Sequence, residues 1–497
     1  MRRLMNISLI VLSLLSMAAC EQKIDTGWSI DQVKDDPIVE PVKVKAQAPL
    51  YWTVYEFCYE AEHAGTSTNM PKSTWESNIK WVSENLLPYG YDMIVTDGFQ
   101  SMYNVQSANS QGYMTHYGEY SLKELVALCK QYGLKLGVYD NPLWKHGDDN
   151  IIIEGTNIRL GSLMYDPAID NVINPGAPRE NEIFYWLVPS HPGCKEYIDG
   201  FFKYYSELGV DFIRMDFMCV FETGTGMGGA PGRGYGREEY ELALQYINES
   251  AAKYGVFTSI VMPNQKNYAE LEARYMNMMR INADVFCGRW SSFSGTTDND
   301  PDPWLEHYGS STYYRRRGDV NKDNWPTCFN MFDGMVYFSD LSGRGKLILD
   351  GDFTRLNTMS NDDECRSVIS LQLVAGGPVA CADQYNETNI DHLVTFYQNE
   401  EMLALNKDGF VGKPLSRDLN SSDSQIWTGQ MTNGDWIVAF FNREDSEQTR
   451  FFAINTLGEE SMNVRDLWEH TDLGRQRNLN YTIPAHGCKV FRLTKAE

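Results

Sequence analysis

A (β/α)8 TIM barrel followed by a C-terminal antiparallel β-sandwich is the α/β architecture this sequence predicts, on three observations. Asp211 to Asp216 (DFIRMD) and Arg280 to Asp284 (RINAD) are largely apolar runs that each end in a carboxylate. Read as buried parallel strands, both set an Asp at the carboxyl end, the face where such barrels carry their sites. From Leu50 to about Asp383, strand-like and helix-like stretches alternate, the pattern of a parallel sheet with crossover helices. After Gly412 the chain changes to short β-rich runs separated by turn residues.

The elements follow in order. Leu50 to Phe57 (LYWTVYEF) reads as a first strand, Thr74 to Leu87 as a helix and Asp92 to Asp97 as a second strand. Ser121 to Tyr132 reads as a helix closed by Gly133, a natural residue just past a helix end. Leu134 to Asp140 is the third strand, Cys194 to Leu208 a helix followed by Gly209, and the fourth strand carries Asp216. Glu238 to Tyr254 is a helix followed by Gly255; Phe257 to Met262 and Arg280 to Val285 are strands five and six. Met335 to Phe338 and Lys346 to Asp350 complete the eight a closed barrel needs. Insertions at about 141–192 and 286–330 follow strand carboxyl ends, so both are expected over the cleft. Gln425 to Trp427, Trp436 to Asn442, Thr449 to Ala453 and Lys489 to Leu493 are the sandwich strands. The implied domains are a signal at 1–19, a tether at 20–49, the barrel at 50–411 and the sandwich at 412–497.

Arg2 and Arg3 precede an apolar stretch, Ile7 to Ala19, too short to span a bilayer. It ends in Met17-Ala18-Ala19-Cys20, which resembles a bacterial lipobox with Met in place of Leu. Cleavage before Cys20, acylation of its thiol and an anchored place in the bacterial cell envelope are the expectation. That lipid is the one membrane contact expected. The net charge of −24 disfavours nucleic acid and anionic lipid surfaces as partners. Nine further cysteines show no C-x-x-C pair and no neighbouring His at ligand spacing; Cys58, Cys129, Cys287 and Cys381 lie in apolar runs and read as reduced core residues. The glycine-rich stretch 224–236 lacks the Lys-Ser/Thr of a phosphate cradle and reads as a loop. Asp298-Asn299-Asp300-Pro301-Asp302 is not an EF-hand and reads as a solvated acidic turn. No metal and no cofactor are expected, and the sequence fixes no oligomeric state.

Two carboxylates on one barrel rim, 68 residues apart, are the minimal equipment for cleaving a glycosidic bond. One must be ionised to attack the anomeric carbon; the other must be protonated to release the leaving oxygen. Arg214, two residues before Asp216, lies on the same strand face and is expected to keep Asp216 ionised. Asp284 is expected to hold its proton, raised by burial and by the charge of Asp216.

Ordered motifs along the chain resemble glycoside hydrolase family 27, the α-galactosidase/melibiase group. The family's strand-four Lys-Tyr-Asp reads Arg214-Met215-Asp216, and its Arg-x3-Asp on strand six reads Arg280 and Asp284. Gly376-Gly377-Pro378 through Asp383-Gln384, Asn399 to Asp408, and Val464 to Trp468 with His470, Asp472 and Gly474 follow the family's later motifs, as do Pro484, His486 and Gly487. The resemblance implies a retaining exo-glycosidase, with Asp216 as nucleophile, Asp284 as acid/base and a carbohydrate partner. It places Tyr55, Asp97, Tyr139, Arg214 and Arg280 around the sugar.

The sugar-binding positions depart from the pattern. The first of the family's paired strand-two aspartates is Thr96, leaving only Asp97; the strand-one Trp is Tyr55; the strand-five Glu is Val261. A lost hydroxyl-bonding carboxylate changes sugar discrimination strongly. Alongside α-galactoside hydrolysis, the sequence therefore leaves open β-L-arabinopyranoside, α-N-acetylgalactosaminide and isomaltose-releasing dextran hydrolysis. A non-catalytic glycan-binding lipoprotein is the alternative from another class. Trp144, Trp186, Trp290 and Trp304 are candidate aromatic walls.

Overall fold

The computed structural model describes residues 47–97, 108–145, 150–166, 171–172, 185–223, 236–285, 288–296, 315–322 and 324–496. Cys20, the lipobox, the tether up to 46, most of the glycine-rich stretch (224–235), Cys287, Trp304 and the Asp298–Asp302 turn lie outside the described residues.

Nine short strands form one parallel sheet: β1 (Leu50–Thr53), β2 (Met93–Val95), β3 (Lys135–Tyr139), β4 (Phe212–Met215), β5 (Phe257–Ile260), β6 (Met278–Arg280), β7 (Ile348–Asp350), β8 (Phe353–Thr354) and β9 (Val379–Cys381). Their spatial order runs β7-β6-β5-β4-β3-β2-β1-β9-β8. The two outermost strands belong to one stretch of chain, split by Gly351-Asp352. Its first half pairs with β6 and its second with β9. That shared segment closes the ring as an eight-position barrel.

The helices lie where their local signals put them. Ser121 caps Leu122–Gln131 in a reciprocal capping box with Glu124. Gly209 and Gly255 close Cys194–Leu208 and Arg237–Tyr254 in left-handed conformations.

Four expectations are corrected. The first strand ends at Thr53, and a helix starts at Tyr55 (Tyr55–His63). The sixth ends at Arg280, which leaves Asp284 on the loop beyond it. Met331–Tyr337 is a helix, with the Asn330 side chain accepting from the Asp333 N–H. A short apolar run is ambiguous between helix and strand, and that cap decides it. The eighth barrel position is Val379–Cys381, so Ile348–Asp350 moves to the seventh.

The barrel interior is layered. Tyr51, Met93, Phe212, Phe257, Met278, Ile348 and Ala380 form one buried apolar cluster. Gly137 completes that layer because a Cβ there would lie 2.7 Å from Phe212. Two residues further along β3, β4, β6 and β7 the layer turns polar: Tyr139, Arg214, Arg280 and Asp350 share the next level.

The insertion after β3 contributes a small antiparallel sheet, in which Trp144 pairs with Trp186 across two strands. The C-terminal domain stacks a six-stranded sheet on a two-stranded antiparallel sheet of Gln448–Ala453 and Asn478–Ile483, around a core including Ile426, Val438, Phe452, Leu479 and Phe491. Arg443 docks it on the barrel. Its guanidinium donates to Asp333 at 2.8 Å and lies over the Phe332 ring at 4.4 Å, fully buried. Eight described cysteines, Cys58, Cys129 and Cys381 among them, are buried free thiols.

Candidate active site

Asp216 follows the last residue of β4 directly. Its Oδ2 accepts from the Tyr139 hydroxyl at 2.9 Å and its Oδ1 from the Phe217 N–H at 2.6 Å. Phe217 has φ +59, a left-handed conformation unusual for an aromatic residue, and it turns that N–H back onto the carboxylate. Asn141 donates to the Asp216 carbonyl at 2.8 Å. Behind it, Asp140 accepts from the Asn141 N–H at 2.8 Å and from the Tyr205 hydroxyl at 2.6 Å.

Asp284 stands on the loop after β6, a quarter exposed, with Arg280 Nη2 at 3.0 Å from its Oδ1. Three anchors fix this loop. Arg315 donates to the Asp284 carbonyl at 2.6 Å, Val285 N–H to Asp352 at 2.9 Å, and Ala283 N–H to the Cys328 carbonyl at 2.8 Å.

The charge of Asp284 acts on Asp216. Burial, then the charge of Asp284, pushes the Asp216 carboxyl up to about 6; the Phe217 N–H, Arg214 and Tyr139 pull in the other direction. Arg214 therefore opposes the rise, as expected, but desolvation outweighs it. Asp216 is thus a carboxyl held up in the free site, and Asp284 faces the Arg280 guanidinium.

Beneath the pair lies a buried charge layer. Arg214 Nη1 meets Asp350 at 2.6 Å and its Nη2 meets Asp352 at 3.2 Å. Arg280 Nη2 bonds Asp352 as well as Asp284. Both arginines and both aspartates are almost wholly buried. The Arg214 fork is thus engaged by protein carboxylates.

Among the sugar-binding candidates, Tyr139 joins Asp216 directly, and the charge of Asp97, half-buried after β2, acts on Tyr139 as well. Tyr55 is 7 % exposed and stacks on Phe353 at 3.7 Å, in the first turn of its helix. The Thr96 hydroxyl accepts from the Tyr139 N–H at 2.9 Å, so it braces β3 where the family pattern has a carboxylate. Val261 is 1 % exposed. Trp290 stacks on His486 of the sandwich at 4.4 Å, which makes it a domain-packing residue.

Sequence reasoning missed Asp352, Asn141 and Arg315. The signal for Asp352 was Asp350-Gly351-Asp352, two carboxylates at period two where a strand ends. Among the described residues no group of three or more His, Cys, Asp or Glu is set to hold a metal.

The chain is 35 % identical over 468 residues to the isomalto-dextranase of Arthrobacter globiformis, covering 90 % of this chain and 67 % of that one. It belongs to glycoside hydrolase family 27. Residues 421–493 match the family model described as the alpha galactosidase C-terminal beta sandwich domain. The solved structure of Arthrobacter globiformis T6 isomalto-dextranase complexed with panose superposes with a TM-score of 0.76 at 31 % identity, covering 93 % of this chain and 76 % of that one. The α-galactosidase of rice (Oryza sativa subsp. japonica) is 26 % identical over 203 residues, 39 % of this chain and 46 % of that one. This family 27 member is a glycoside hydrolase.

Proposed function

We propose that this glycoside hydrolase cleaves α-1,6-linked glucan from chain ends, releasing isomaltose by a two-step retaining displacement. The observation that carries the substrate is the extent of likeness. It runs along 90 % of the chain for the isomalto-dextranase and along 39 % for the rice α-galactosidase. The departures at Thr96 and Val261, both turned to structural use, support a sugar other than galactose.

In this reading Asp216 attacks the anomeric carbon and Asp284 protonates the leaving oxygen, then takes a proton from the incoming water. The short Phe217 N–H and Tyr139 O–H bonds orient Asp216. They also stabilise its ionised form against the desolvation that opposes it. Asp284 sits on an edge open enough for a leaving group to reach, held by a loop whose backbone is anchored at three points.

The test is a panel of dextran, isomaltotriose, aryl α-galactoside and aryl β-L-arabinopyranoside, with the anomer of the first product read by NMR. Isomaltose released with retained configuration is expected. Hydrolysis confined to the aryl glycosides would overturn the glucan reading. Inversion would overturn the displacement.

Tyr139→Phe removes a donor that lowers the Asp216 carboxyl. The acid limb of kcat/KM, expected near pH 6 in the unaltered enzyme, should move to higher pH, with turnover at neutral pH falling about 10-fold. An unmoved limb would show that it belongs to another group.

The envelope location belongs to the same proposal, supported by Met17-Ala18-Ala19-Cys20. Cys20→Ala should abolish labelling by radioactive palmitate and release the protein from the membrane fraction; unchanged labelling would exclude Cys20 as the acceptor.

A further inference from the structure

A second cleft, enclosing about 600 Å³, lies where the helices after the seventh and eighth barrel positions meet the sandwich. Its walls are the start of Asp362–Ala375, the helix Ile390–Tyr397, the first turn of Glu400–Asp408 and the turn at Trp468 to His470. None of its lining residues belongs to the Asp216/Asp284 site. The volume is in the range of pockets that hold organic ligands.

Most charged groups along this cleft are paired. Asp362 pairs with His392 at 2.9 Å, and Arg366 with Glu469 at 3.4 Å. Glu401 is gripped by Arg465 at 2.6 and 2.8 Å and by His470 at 2.7 Å. Glu400 adds a further carboxylate to the lining, so no positive excess is left to attract an anion or a polyanion. What remains is a rim of carboxylate, imidazole and hydroxyl groups, several of them exposed and each with spare hydrogen-bonding capacity.

The floor is aromatic. Trp468 is half-buried, its indole N–H is committed to Ser370 at 2.8 Å, and the Arg366 guanidinium stands 6.0 Å from its ring centroid, so the side chain is fixed with a cation beside the ring. Phe396 lies 6.2 Å from it, tilted by 55°. A rigid ring beside paired polar groups complements a pyranose, which has an apolar C–H face and a girdle of hydroxyls.

We propose that this cleft is a second carbohydrate-binding site, holding a stretch of the same uncharged α-glucan whose end enters the barrel. The inference rests on the glucan reading of the main site. A second grip raises the effective concentration of chain ends at the carboxylates and acts only on substrates long enough to reach both places.

The experiment uses two variants of the full chain. Trp468→Ala removes the ring; Thr395→Arg keeps the packing and fills the cleft from an exposed position on its wall. Each is compared with the unaltered enzyme for kcat/KM on isomaltotriose and on high-molecular-mass dextran, and for retardation in native gels cast with dextran. The expected result is isomaltotriose kinetics within about 2-fold, a dextran KM raised about 5- to 10-fold, and weakened retardation in both variants. Dextran retardation and KM unchanged in Thr395→Arg, with isomaltotriose cleavage intact, would overturn the second site alone. Failure of the unaltered enzyme to cleave isomaltotriose or dextran would instead overturn the glucan reading, and absence of any dextran retardation with isomaltotriose cleavage intact would overturn the second site alone.

Discussion

Asp216→Asn is expected to lower turnover of every substrate by at least about 10⁴-fold and, at neutral pH, to make the protein more heat-resistant. The first effect follows from removing the group proposed to form the covalent glycosyl intermediate. The second follows from the cost of the wild-type carboxylate. Its pKa in the folded site is about 6 against an ordinary value of 3.8. Between about pH 4 and 6 the folded chain therefore binds more protons than the unfolded one, and stability falls as pH rises through that window. Above it the folded protein carries an ionised group that water would solvate better. Asparagine does not titrate, so the gain should be present at pH 7, about 2–4 °C in Tm, and absent below about pH 4. Calorimetry of both proteins at pH 3.5 and pH 7 checks it. An equal shift at both values would mean that the gain comes from packing rather than from relief of a desolvated charge. Retained turnover would remove Asp216 from the mechanism.

Much of this arrangement was legible in the sequence because it depends on local signals. Glycines placed after Leu208 and Tyr254, and the Ser121/Glu124 box, marked helix ends that need no tertiary information. The apolar run into Asp216 announced a buried parallel strand, whereas the run read as strand six began at Arg280, the residue where β6 ends. Other elements depend on tertiary context. Val379–Cys381 is three residues long, too short to show a period, and it is recognisable as a barrel strand only by pairing with β1. The helix Met331–Tyr337 is as apolar as a strand because the sandwich covers it; Phe441 packs edge-on against Phe332.

The site divides in the same way. The carboxylates and Tyr139 were identified by position within their own segments. The role of Arg214 was not, because it is decided by which strand stands opposite. Register brings Arg280 beside Asp350, and the break after β7 brings Asp352 beneath both arginines. Nothing within four residues of Arg214 carries that information.

Asp352→Ala should therefore be among the most damaging single changes in the chain, although this residue is set back from the pocket. Asp352 is fully buried, with φ +82. One oxygen accepts from Arg214 at 3.2 Å. The other receives Arg280 and, at 2.9 Å, the Val285 N–H, and its own N–H donates to Asp350 at 2.8 Å. Alanine leaves two buried guanidiniums sharing one fewer carboxylate and an amide without its acceptor. Breaking a buried ion pair from one side costs about 3–5 kcal/mol, and the retained partners Asp350 and Asp284 set the expectation at the lower end, about 3 kcal/mol. Asp352→Asn keeps the volume and one acceptor and should cost about half as much. Activity gives the sharper readout. Val285 follows Asp284 directly and Arg280 holds its carboxylate, so loss of Asp352 frees both constraints on that side chain at once. Substrates with poor leaving groups, which need a proton delivered to the departing oxygen, should lose about 10²-fold in kcat, while activated aryl glycosides lose far less. Chemical denaturation gives the first quantity and a leaving-group series the second. A variant that unfolds more easily yet shows the same leaving-group dependence as the wild type would confine Asp352 to a structural role.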